Sequence, residues 1–139
     1  MTAMKLYRPT ETTKFHIDYG WFEKNDQDVK VLIRKCLTPD QQDNMPDSTD
    51  LYDYIDERTG EVTRVDPILH IIRSQNAQDP DFITNRTPVA EAVFRMFLIS
   101  SNQPMTPLEL SQRISRKPSE ILAQLGGRMV YNGIRPVAE

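Results

Sequence analysis

The chain has 139 residues, 38% hydrophobic and 27% charged, with a formal net charge of −3. These are ordinary proportions for a soluble globular protein, and the length suits one compact domain or two small lobes sharing a core. The longest apolar run, Met96 to Ile99, excludes a helical membrane span, which needs about 20 apolar residues. The start, MTAMKLYRPTE, lacks the apolar region of a secretory signal, and the single cysteine, Cys36, excludes an intrachain disulfide. A reducing cytoplasm is the expected location.

In chain order, Phe15, Ile17, Tyr19 and Trp21 alternate, which predicts a strand over 15–22 with one apolar face. Val29, Leu32, Ile33, Cys36 and Leu37 recur at helical spacing. Asp28 stands where an acid complements a helix start, and Pro39 stops the helix near Thr38. Residues 38–50, TPDQQDNMPDSTD, hold two prolines and four aspartates with one large apolar residue, and read as an exposed, flexible loop. Strands are expected at 52–55 and 61–65, around a loop ending in Gly60. Asp66-Pro67 opens a helix with an N-cap acid and a proline in the first turn.

Charge is unevenly divided. Residues 88–139 carry six Lys/Arg against four acids, while 1–87 carry eleven against sixteen. The expected division is an acidic α+β lobe over 1–86 and a mildly basic lobe over 87–139. In the second lobe, Thr87-Pro88 starts a helix that Asn102-Gln103-Pro104 ends. Thr106-Pro107-Leu108-Glu109 is a complete capping-box sequence, opening a short helix to Ile114. Ser115-Arg116-Lys117 is a tight turn, and Pro118 opens a third helix that Gly126-Gly127 ends in a left-handed cap. Asn132-Gly133 between Arg128–Tyr131 and Ile134–Val137 signals a two-residue hairpin, with Pro136 confining its second strand to an edge.

The series helix, Gln103–Thr106 segment, helix, tight turn, helix, hairpin resembles a winged helix-turn-helix domain. The likeness covers residues 87–139; residues 1–86 resemble no family of nameable function. It implies that Gln103–Thr106 supplies a small strand pairing with the wing, and that 118–125 is the recognition helix, with Ser119, Glu120, Ala123 and Gln124 outward. It further implies a nucleic-acid face built from Arg116, Lys117, Ser119, Gln124, Arg128 and Arg135, in which wing bases hold phosphates and helix side chains read bases. Glu120 departs from this pattern by placing a negative charge on the exposed helix face.

The expected fold is therefore α+β and mainly helical, with small β-hairpins and a C-terminal winged helix. The leading expectation is a non-enzymatic DNA-binding or transcription-associated accessory protein acting on duplex DNA. The alternative is a protein-interaction module, as a homodimer or as a subunit of a larger complex. No phosphate loop, nucleophile elbow or paired carboxylates support an enzyme. No cofactor or metal is expected. His16 and His70 lack partners at ligand spacing, Cys36 lies on a core stripe, and the Asp47, Asp50, Asp53, Asp56 series lacks the glycine and glutamate of a calcium loop. Tyr19 and Trp21 read as core rather than as a base-stacking pair.

Overall fold

The computed structural model describes residues 8–44, 52–55 and 58–138. Within them the order is β1 (Phe15–Ile17), α1 (Tyr19–Lys24), α2 (Val29–Lys35), α3 (Pro39–Asn44), β2 (Tyr52–Ile55), β3 (Val62–Val65), α4 (Pro67–Ser74), a single 3-10 turn (Asn76–Gln78), α5 (Val89–Ile99), α6 (Pro107–Ile114), α7 (Pro118–Leu125) and β4 (Ile134–Pro136). This is a mainly helical α+β fold with a two-stranded antiparallel hairpin, β2–β3, whose register opposes Ile55 to Val62. Among the described residues no helix is long and apolar enough to cross a membrane.

Helix starts follow side-chain chemistry. The Asp28 carboxylate accepts from the Lys30 amide at 2.9 Å, and the Asp66 carboxylate accepts from Ile68 and Leu69 at 2.9 and 3.2 Å. At α6 the Glu109 amide donates to Thr106 Oγ1 at 3.1 Å, and the Thr106 amide donates to Glu109 Oε1 at 3.0 Å. Each bond satisfies an amide that the first helical turn leaves without a partner.

Three expectations up to the start of α5 need correction. The strand over 15–22 ends at Ile17; residues 19–24 are helix, and that turn buries Phe22 instead of Trp21. The strand stops where its partner stops, with the Asp18 amide donating to the Gly133 carbonyl at 2.8 Å. The segment 38–50 is not all loop, because 39–44 is helical. Thr38 and Gln41 cap it reciprocally: the Gln41 amide donates to Thr38 Oγ1 at 3.2 Å, and the Thr38 amide to Gln41 Oε1 at 3.0 Å. Residues 45–50 lie outside the described residues. At α5 the N-cap is Pro88, not Thr87, whose hydroxyl instead accepts from the Thr84 amide at 3.0 Å.

In the C-terminal part α5, α6 and α7 pack on one another. The tight turn between α6 and α7 is made by Ser115 in the left-handed conformation (φ 57°, ψ 42°). Gly126 ends α7 at φ −89°, so the expected left-handed glycine cap is absent. Glycine is needed there for space: a Cβ would lie 2.8 Å from the Leu122 carbonyl oxygen. The Asn132-Gly133 turn forms as expected, with φ of 54° and 69° and the Ile134 amide donating to the Tyr131 carbonyl at 3.0 Å. The local hairpin does not form. Residues 126–131 contain no strand, and β4 pairs antiparallel with β1, from Phe15 opposite Pro136 to Ile17 opposite Ile134.

The pairing is set by burial. Phe15 and Ile17 are almost wholly buried, and β1 is the strand that brings them into the core, pairing with the edge of β4 opposite the one on which the Ile134 amide meets Tyr131. The far edge of β1 is closed as well. Phe15 exchanges amide–carbonyl bonds with Met105 at 2.8 and 3.1 Å, and the Asn102 side chain bonds both the amide and the carbonyl of Ile17 at 2.8 and 2.9 Å. The Gln103–Thr106 segment thus pairs with β1, where the resemblance implied the wing. One hydrophobic core runs across the expected lobe boundary, from Phe15, Ile33 and Ile72 to Phe97, Leu110 and Ile121.

Candidate interaction face

The expected basic face is assembled only in part. Arg116 sits at the α6–α7 turn with 13% of its side chain exposed. Its guanidinium donates to the carbonyls of Asn85 and Thr87, and pairs with Glu120 at 3.3 Å. This arginine ties the α5 approach to the start of α7, and its donors face inward. Lys117 is the exposed N-cap of α7, and Ser119 is exposed two residues on. Gln124 is half-buried. Arg128 is exposed and has no ion-pair or hydrogen-bond partner among the described residues. Arg135, on β4, pairs with Asp18 at 3.1 Å across the β1–β4 strand pair.

Two adjoining grooves line the outward side of α7. The larger, of about 750 Å³, lies between Arg8-Pro9, the second half of α7 and the 126–136 arc. It gathers Arg128 and Arg135 with Arg8, over Leu122, Leu125 and Ile134. The smaller runs between residues 9–12 and Ser119, Leu122 and Ala123, and has Glu11 on its wall. Arg116, Lys117 and Gln124 line neither. Residues 9–12 therefore stand beside the helix face that the resemblance implied would enter a major groove. With Glu11 on that wall and Glu120 48% exposed, the α7 face is of mixed charge.

Arg8 and Met129 are site residues that sequence reading missed. Met129 is 65% exposed, and Tyr131 is exposed beside it. No local pattern marks Arg8: it joins the groove only because β1 carries the N-terminal segment against α7.

Cys36 is buried, its thiol donating to the Leu32 carbonyl at 3.4 Å, and burial pushes its pKa up to about 11, which suppresses the reactive thiolate. Tyr19 is not the core side chain expected, since 39% of it is exposed; its partial burial still raises the phenol's pKa, against the opposing pull of Arg73. The Thr106 amide bond holds the Glu109 carboxyl below its ordinary value. Asn76, buried, exchanges two side-chain bonds with Gln41 at 2.9 and 3.0 Å, joining α3 to the end of α4. Among the described residues no group of three or more His, Cys, Asp or Glu is placed to hold a metal. No protein-family model matches the chain, and no curated protein or solved structure matches it significantly.

Proposed function

We propose that this chain is a non-enzymatic interaction module, binding a protein partner through the α7 and 126–136 face, in preference to reading duplex DNA. The observation that carries this is the fate of Arg116. Of the four expected phosphate-contacting side chains, Arg116, Lys117, Arg128 and Arg135, two stand at the start of the expected recognition helix; Lys117 is exposed, while Arg116 donates to two carbonyls and Glu120. A duplex-reading helix needs free cations and an unobstructed outward face. Here Glu11 and Glu120 stand beside that face, while Met129 and Tyr131 offer exposed apolar surface of the kind that protein interfaces enrich. A three-helix scaffold of this kind supports either role, so side-chain chemistry decides. With one cysteine, buried, the chain suits a reducing cytoplasm.

The test is site-specific photo-crosslinking in cells. A photoreactive residue replaces Met129, or exposed Gln112 on α6 as the control. A discrete protein adduct from position 129, absent from position 112, is the expected result. Adducts only to nucleic acid, or none at either position, would overturn the proposal.

A further inference from the structure

We propose that the larger groove is the docking site, and that its occupant is a short acidic segment of a partner protein carrying a large apolar side chain flanked by carboxylates. This deepens the reading above and rests on it. The groove is bordered by Arg8, Arg128 and Arg135, and among the described residues no Asp or Glu lines it. That concentration stands out in a chain of net charge −3. Guanidinium groups bind carboxylates through paired, charge-assisted hydrogen bonds, so three of them around one cleft favour an acidic ligand. Below them lie Leu122, Leu125 and Ile134, with exposed Met129 at the rim. Apolar floor and flexible thioether together favour an apolar anchor. The volume, about 750 Å³, lies within the range of roughly 300–1,000 Å³ typical of ligand clefts.

The backbone of β4 narrows the binding mode. In the antiparallel register with β1, His16 and Arg135 face one another, so the amide and carbonyl of Arg135 point to β1. Those of Ile134 and Pro136 point to the outer edge. The Ile134 amide is already bonded to Tyr131, and Pro136 has none. The outer edge therefore offers carbonyls without free amides, which disfavours addition of a partner strand. Recognition falls to the arginines and the apolar floor. Asp18 holds Arg135 from outside the groove at 3.1 Å, leaving part of its five-donor fork for a ligand.

The experiment is panning a displayed library of random 12-residue peptides against the full chain. Enriched peptides are then made with a fluorescent label and titrated against the wild type, Arg128→Glu, Arg8→Glu and Gln112→Glu. The exposed positions of these residues make the variants compatible with folding, and thermal melts check it. The expected consensus is rich in Asp and Glu around at least one large apolar residue. Arg128→Glu and Arg8→Glu each weaken binding about tenfold or more, the scale of a lost charged hydrogen bond, while Gln112→Glu changes little. Raising salt also weakens binding. A consensus without acids, or peptides indifferent to both arginine reversals, overturns the docking chemistry and leaves the protein-interaction reading standing. No enriched peptide overturns the docking site. If labelled duplex or single-stranded DNA then binds in an Arg128-dependent way, the interaction reading falls with it.

Discussion

Gly133 shows how much one backbone position can carry. It holds φ at 69°, as a two-residue turn requires, and a Cβ there would lie 2.2 Å from Phe22 Cε2. Gly60 has nearly the same φ, 72°, with nothing within 4 Å of its Cβ position. The pair separates conformational strain from steric overlap. Gly60→Ala is expected to cost about 1 kcal/mol, the left-handed penalty alone. Gly133→Ala adds overpacking against Phe22, for a total of about 3 kcal/mol. Urea denaturation of both variants checks this, and equal losses would contradict the assigned contact. Cys36 gives a pH signature. Its folded pKa, about 11, lies above the ordinary 9.0, so its contribution is fully present below about pH 9 and is lost as pH rises toward 11. The alkaline loss of stability is expected to be shallower in Cys36→Ala, and an unchanged slope would argue that the thiol is not buried.

At the level of elements, two helices start from the same chemistry. Thr38-Pro39-Asp40-Gln41 and Thr106-Pro107-Leu108-Glu109 both form reciprocal caps around an early proline. Thr38→Ala and Thr106→Ala are each expected to cost about 1 kcal/mol in denaturant titrations. Losses within error of zero at either site would remove the cap from the account. The pairing also explains what could be read beforehand. The second cap was legible because an apolar helical stripe followed it. The first carried the same Thr-Pro-x-Gln signal, but the aspartates beyond it gave no apolar periodicity, and the segment read as loop. Residues 15–22 misled in the opposite sense: the alternation of Phe15, Ile17, Tyr19 and Trp21 runs past the end of the strand into helical Tyr19–Lys24, while β1 ends at Ile17, opposite the first residue of β4. Asn132-Gly133 was legible as a turn, since positive φ at two successive residues is a local demand. Its strand partner was not, because β1 lies over a hundred positions away in sequence and local pattern carries no information about non-local pairing. For the same reason Arg128 and Arg135 were foreseen as neighbours and Arg8 was not. Arg116 was foreseen as a surface cation, while the carbonyls that occupy it belong to the approach to another helix.

For the whole molecule, the consequence is that the C-terminal helices depend on the N-terminal strand. A fragment of residues 87–139 lacks β1, the partner of both Met105 and β4, and the apolar cover of Phe15 and Ile17. It is expected to lack a cooperative thermal transition and dispersed amide resonances, whereas the full chain shows both; a folded fragment would show that β1 is dispensable. The same architecture places residues 9–12 and Glu11 beside α7, and so bears on function. The most direct test is titration of the full chain with labelled duplex DNA at several salt concentrations, followed by fluorescence anisotropy. If Arg116, Lys117, Arg128 and Arg135 form a phosphate-binding face, log affinity falls with log salt at a slope of roughly −3.6, from about −0.9 per neutralised phosphate. Arg128→Ala and Arg135→Ala would then each reduce that slope by about one unit. No such slope is expected, because Arg116 is held inward, Glu120 shares the helix face and Arg135 is paired with Asp18. A slope of roughly −3.6 that responds to those two substitutions would contradict this reading and restore duplex DNA as the partner.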